Sequence, residues 1–336
     1  MTFRSIKTAL VSTSILFALS LAMAGCAGKP DTGDRPVLRF RADGTFTILQ
    51  ITDTHLHYPD KRDPPTYALI RRVVRQENPD LLYLTGDIAR WTDEPDSMQT
   101  WPRLVPFLDS LGVPWAFVYG NHDPEVVGYR QIDSMLATSP LSMYELGLDS
   151  IRGHGNYVLT ILSHSTGEPG AFLWGFDSGY DGKGVYDWLR KGQLDWFTTE
   201  HARLHAGLSK PVTDLAFMHI PIPQYDSVWN TKACRGVKFE KVCMQGRETG
   251  QFDTLKGRVV AMFCGHDHVN DYTGTLDGLD LVYGRATGYR AYGKDKLPRG
   301  ARVIRLTEGE RGYHSHIRVD DGSIADLPLH TPETAK

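Results

Sequence analysis

The sequence predicts an α/β fold built around a parallel sheet. Two observations carry that prediction. Apolar runs alternate with amphipathic segments, giving strands over 45–52, 80–85 and 114–119 separated by helices over 64–77 and 96–111. Each of those strands also stops at a polar cluster. In a strand-helix-strand unit the strands run parallel, so the clusters gather at one edge of the sheet, where open α/β sheets place their ligands.

Taken in order, Thr45-Phe46-Thr47-Ile48-Leu49-Gln50-Ile51-Thr52 alternates, then turns apolar, and stops at Asp53-Thr54-His55. Pro64 and Pro65 suit a first helical turn, where a missing N–H costs nothing. Tyr67, Ile70, Val73 and Val74 then share one face to about Glu77, and Asn78-Pro79 ends the helix. The strand 80–85 runs into Gly86-Asp87, and the strand 114–119 into Gly120-Asn121-His122-Asp123. A helix over 131–146 leads to a second set of strands, 155–162 and 171–177.

The helix 187–206 carries Trp188, Leu189, Leu194, Trp196, Phe197 and Leu204. Its His201 and His205 lie one turn apart, a spacing that can bind metal; nothing else in the sequence points to them, and they read as solvent-exposed. The strand 214–218 ends at His219, followed by Pro221 and Pro223, which fix an extended loop. Residues 224–251 are polar and loop-rich, and a short helix is expected over 251–256. Val259-Val260-Ala261-Met262-Phe263-Cys264 is a buried strand ending in Gly265-His266-Asp267-His268. Strands at 279–284 and 301–306 and an edge strand at 314–319 follow, and 323–336 reads as a frayed tail. Turn chemistry would explain each polar cluster singly. It does not explain why every one of them offers metal-capable side chains.

The net charge of −3 over 336 residues provides no basic field for nucleic acid, so function must be read from sites. Arg4 and Lys7, the apolar stretch 9–22 and the small residues before Cys26 form an export signal over 1–25. Its ending resembles a bacterial lipoprotein signal, which implies lipidation of Cys26 and a membrane-anchored chain facing the periplasm or cell exterior. Residues 26–44 then serve as a tether, and 45–322 as the folded domain that carries the strand-end clusters. Cys234 and Cys243 could pair in an exported protein or remain free thiols. Cys264 reads as a buried small apolar residue.

The five strand-end clusters together resemble those of the calcineurin-like metallophosphoesterases, which include the purple acid phosphatases. Gly155-Asn156-Tyr157, Asp177-Ser178-Gly179, Phe217-Met218-His219-Ile220-Pro221, Gly265-His266-Asp267-His268-Val269-Asn270-Asp271 and Tyr283-Gly284-Arg285 are similar to the small purple-acid-phosphatase-like branch. The resemblance implies a four-layer α-β-β-α sandwich of two mixed β-sheets. It implies one metal held by Asp53, His55, Asp87 and His268 and another by Asp87, Asn121, His219 and His266. Imidazole, carboxylate and amide donors together fit divalent or mixed-valence Fe, Mn or Zn. Two such ions ~3.5–4 Å apart would clamp a phosphate and hold a bridging hydroxide that attacks phosphorus in line. His122 would contact the phosphate and protonate the leaving oxygen. Asp123 and Asp267 would support the ligands or cap helices.

One position departs from the purple pattern. Arg90 stands where those enzymes carry the tyrosine that gives the colour, so no colour is expected and the metal is open. Arg90 either binds the substrate phosphate or pairs with Asp93 or Glu94. Aromatic residues Trp91, Tyr225, Trp229 and Tyr289 are candidates for a substrate pocket. The implied function is hydrolysis of a phosphorylated small molecule, monoesters favoured. Phosphodiester hydrolysis and a non-catalytic surface binding protein are the alternatives.

Overall fold

The computed structural model describes residues 35–89, 98–125, 127–180, 186–208 and 210–332. The body from Arg35 onward is built on two mixed β-sheets. The first comprises β1 (Thr45–Ile51), β2 (Leu81–Thr85), β3 (Trp115–Val118), β11 (Gly300–Thr307) and β12 (His314–Val319), in the order β12-β11-β1-β2-β3. The second comprises β4 (Tyr157–Leu162), β5 (Pro169–Gly175), β6 (Thr213–Phe217), β7 (Cys234–Lys238), β8 (Ala261–Cys264), β9 (Asn270–Leu276), β10 (Leu279–Tyr283) and β13 (Leu329–His330). Their order is β13-β7-β9-β10-β8-β6-β5-β4. β1, β2 and β3 are parallel, as are β5, β6, β8 and β10. That common sense brings the polar strand ends of both sheets to one edge.

Side-chain alternation explains how the layers stack. On β5 and β6, Ala171, Leu173, Leu215 and Phe217 turn inward and join Ile48, Tyr83 and Phe117 of the first sheet in one core. Tyr83 stacks on Phe217 across the sheets, with ring centroids 3.9 Å apart. Phe172, Trp174, Ala216 and Met218 alternate outward and meet Leu194 and Phe197 of α4 (Lys191–His205). The same outer layer holds α5 (Gln224–Thr231) and α6 (Gln251–Leu255), through Tyr225, Val228, Phe252 and Leu255. On the other side α1 (Asp63–Glu77), α2 (Thr100–Asp109) and α3 (Tyr129–Leu136) cover the first sheet with Leu69, Val73, Leu104, Leu108 and Ile132. The architecture is therefore the four-layer sandwich the resemblance implied.

Several local expectations change. The helix expected over 131–146 stops at Leu136, because Ser139-Pro140 removes an N–H and disfavours helical geometry before it. The helix expected from 187 begins at Lys191, since the Asp187 carboxylate caps Trp188 N–H and pairs with Arg190 and Arg152. The segment 224–251 contains α5 and β7. The strand β9 went unseen in the sequence. The tail expected to fray instead supplies β13, which pairs with β7 while His330 stacks on Trp229 at 3.8 Å. Cys234, Cys243 and Cys264 are all free thiols, so Cys234 and Cys243 form no disulfide. Cys234 lies buried against Val228 and Gly274, whereas the Cys243 N–H is tied to Asp267. Among the described residues no helix is long and apolar enough to cross a membrane. The signal 1–25, Cys26 and the tether as far as residue 34 lie outside the described residues.

Candidate metal centre

Sharp turns at the strand ends create the site. Asp53, His55, Asp87 and His266 all have positive φ, between 45° and 79°, a region non-glycine residues enter only when their surroundings force it. The forcing groups are identifiable. The Asp123 carboxylate accepts the backbone N–H groups of Asp87, Ile88, Ala89 and Gly120 at 2.7–3.0 Å. It thereby ties the β2 and β3 loops together, a supporting role rather than helix capping. Asp53 accepts from His266 N–H at 3.0–3.1 Å and from Thr52 Oγ1 at 2.9 Å, which ties β1 to the β8 loop. Gly120 is required by space, since a Cβ there would lie 2.2 Å from both Asp87 N and Asp87 Oδ1.

Two buried groups converge inside this frame. One consists of Asp53, His55 and His268, the other of Asp87, His219 and His266, each with its donor atoms within 4.8 Å of one another. His55 Nε2 faces His268 Nε2 at 2.9 Å, and His266 Nδ1 faces His219 Nε2 at 3.2 Å. Asp87 Oδ2 lies between the groups, 3.1 Å from His219 Nε2 and 3.8 Å from His55 Nε2. Asn121 Oδ1 is buried with no hydrogen-bond partner. Facing ring nitrogens beside carboxylates and an orphaned amide oxygen form an arrangement that two cations would satisfy, with Asp87 able to serve both. Outer contacts set the rings: His219 Nδ1 hydrogen-bonds Thr85 O at 2.9 Å, which turns Nε2 toward Asp87. Asp267 accepts from Cys243 N–H and Tyr283 Oη, so it supports the loop from behind, and the rings of Tyr186 and Tyr292 rest against His266 and His268.

The electrostatics suit cations. Burial opposes the charge of Asp87, but His219 and His122 outweigh it and hold the carboxyl well below the usual range. Burial, reinforced by neighbouring imidazoles, pushes His55 and His266 down to about 3, leaving both neutral as metal donation requires. His219 moves the other way, to about 10: burial works against it, and Asp87 and Asp53 prevail.

His122 stands at the rim, its side chain 38% exposed and Nε2 4.0 Å from Asp87 Oδ2. Its Nδ1 meets Glu125 Oε2 at 2.9 Å. Burial lowers its proton affinity, while Asp87 and Glu125 raise it more, to about 9. Glu125 escaped the sequence reading, although its i+3 spacing from His122 was a usable signal. Arg90 and Trp91 lie outside the described residues. Tyr225 and Trp229 are not pocket residues: Tyr225 is fully buried with its hydroxyl on Met262 O, and Trp229 packs against Tyr272 and His330. Tyr289 is part-buried, its hydroxyl bound to Asp320. His201 and His205 are partly buried rather than solvent-exposed.

Two packed mixed sheets with a buried carboxylate-imidazole cluster at their shared edge define a metallophosphatase fold. A family model described as calcineurin-like phosphoesterase matches residues 46–270, and the chain belongs to that family. A relative named probable inactive purple acid phosphatase 29, from Arabidopsis thaliana, is 33% identical over 86% of this chain and 84% of its own length. The phosphatase DCR2 of Saccharomyces cerevisiae is 31% identical over 75% of this chain and 50% of its own length. A solved dimetal phosphatase from Danio rerio superposes with a TM-score of 0.51 at 14% identity, covering 80% of this chain and 98% of that one, a likeness of fold alone.

Proposed function

We propose that the chain hydrolyses phosphate esters, monoesters in preference to diesters, with two divalent or mixed-valence ions of the Fe, Mn or Zn type. Asp53, His55, Asp87 and His268 hold one ion, and Asp87, Asn121, His219 and His266 the other. The observation that carries this reading is the nitrogen-to-nitrogen facing of two imidazole pairs, at 2.9 and 3.2 Å, around the Asp87 carboxylate. Bound there, such ions supply Lewis-acid charge for phosphate oxygens and a nucleophile at neutral pH.

The chain's own residues complete the chemistry. His122 is exposed on the cluster's rim and held by Glu125, which keeps the ring aimed and protonated. It delivers that proton to the leaving oxygen. Arg90, three residues beyond Asp87, is the proposed guanidinium for the substrate phosphate. Export and anchoring through lipidated Cys26 belong to the same proposal. Labelled palmitate should enter the wild-type chain and not Cys26→Ser.

A second reading, a non-catalytic binding protein, is favoured by the word inactive in the name of the Arabidopsis relative. One assay separates them: para-nitrophenyl phosphate beside bis(para-nitrophenyl) phosphate, with Fe, Mn and Zn in turn. Faster monoester turnover supports the proposal. Faster diester turnover reassigns the enzyme as a phosphodiesterase. No turnover of either ester by protein carrying two ions selects the binding protein.

A further inference from the structure

The far edge of the second sheet holds another cluster. Asp214 is the second residue of β6, whereas His219 lies two residues beyond its last, so the two mark opposite ends of the strand. At the Asp214 end, α4 crosses with His201 and His205 one turn apart. His205 Nε2 is 3.1 Å from Asp214 Oδ2, and His201 Nε2 is 3.9 Å from Asp214 Oδ1. The donor atoms of all three residues lie within 4.8 Å of one another. Three donors bonded at ~2.0–2.1 Å to one tetrahedral ion would stand roughly 3.3 Å apart, a spacing that the 3.1 Å contact meets and the 3.9 Å contact would reach by a small closure.

We propose that His201, His205 and Asp214 form a third, peripheral metal site for a borderline divalent cation such as Zn(II), separate from the cluster around Asp87. Several independent features favour an ion over a simple histidine-carboxylate pair. His201 Nε2 is buried without a hydrogen-bond partner and lies on the Asp214 side of its ring. The backbone of Arg258 hydrogen-bonds that same ring, the kind of outer contact that fixes an imidazole for ligation. The two imidazoles stack at 4.0 Å, a spacing that disfavours two protonated rings and suits two neutral ones. Burial and the neighbouring His205 push His201 down to about 4, in the same direction. Asp214 is buried, and its oxygen Oδ1 is oriented by Trp174 Nε1–H at 2.8 Å. Phe172, Trp174 and Phe197 pack aromatic rings against the two imidazoles and restrict their orientation. His205 is also the last residue of a 15-residue helix, the end whose carbonyl groups favour a cation. Arg258 and Arg311 stand near enough to oppose charge on His201, so affinity must come from direct donor bonds, and this site binds more weakly than the central one. An open fourth position lets the ion keep a water or accept a donor from another molecule.

The test is an ion count on the full protein, equilibrated with Zn(II) and freed of excess, by inductively coupled plasma mass spectrometry. His205→Gln and, separately, His201→Gln should each carry one ion fewer per chain than wild type. Far-UV circular dichroism establishes that both are folded. The reciprocal variant, Asp53→Asn, should lose ions from the central cluster and still show the same one-ion drop when His205→Gln is added. That difference reads the peripheral site whatever the central occupancy proves to be. Equal zinc content in wild type and both folded glutamine variants overturns the proposal. So does a drop in either variant that vanishes in the Asp53→Asn background, because the ion would then belong to the central cluster.

Discussion

His122 and Glu125 divide one task between them. The imidazole faces the cluster, and the carboxylate grips its other nitrogen at 2.9 Å. A positioned acid is worth roughly 10²–10⁴ in rate. His122→Ala should therefore lower kcat by about that factor while the protein keeps its ions, as steady-state assays and metal analysis would read. Retained activity would remove His122 from the mechanism. Glu125 acts only through His122, so Glu125→Gln should cost less, roughly tenfold, within the range an outer partner contributes. It should cost nothing further in an His122→Ala background. A double-mutant cycle with additive effects would show that Glu125 has a separate role.

At the scale of elements, the apolar strands were legible because each is a run long enough to be read by composition alone, and each ends where a polar cluster begins. The convergence of those clusters followed from parallel topology. The elements that were missed have physical reasons. The sequence Asn270-Asp271-Tyr272-Thr273-Gly274 looks like a loop, yet β9 forms because Arg285 and Arg302 neutralise Asp271 inside the fold. Segment 224–251 hides α5 and β7 because their fully buried apolar residues, Tyr225, Val228 and Cys234, are too few to show a period. His201 and His205 read as exposed because their partner, Asp214, comes from a different element. Within the loops, Gly120 has no room for a side chain. A methyl group at 2.2 Å from Asp87 N and Oδ1 cannot be accommodated without moving Asp87 itself. Gly120→Ala should keep native-like circular dichroism and lose metal affinity by at least about tenfold, as titration calorimetry would measure.

On the scale of the whole molecule, the sheets are held together by more than their apolar core, and two of those connections are open to test. One is ionic: Arg302 on β11 donates to Asp271 on β9 at 2.8 Å, and Arg285 shares the same carboxylate at 2.7 Å. All three groups are buried. Removing the carboxylate strands two guanidinium groups in the interior, so Asp271→Ala should cost about 3–5 kcal/mol in urea unfolding. The other is the proposed metal centre itself. Its donors Asp53, His55, Asp87 and Asn121 follow strands of the first sheet, and His219, His266 and His268 follow strands of the second. Ions bound there tie the sheets at the edge where the loops are most strained, and they bind the folded chain only. At free metal ~1,000-fold above its dissociation constant each site would add about 4 kcal/mol. Chelation should consequently lower the unfolding temperature, and readdition of metal should restore it. The loss should be smaller in Asp53→Asn, which has already surrendered one side of the clip. A melting temperature indifferent to chelator in wild type would mean that the edge is held by its hydrogen bonds alone.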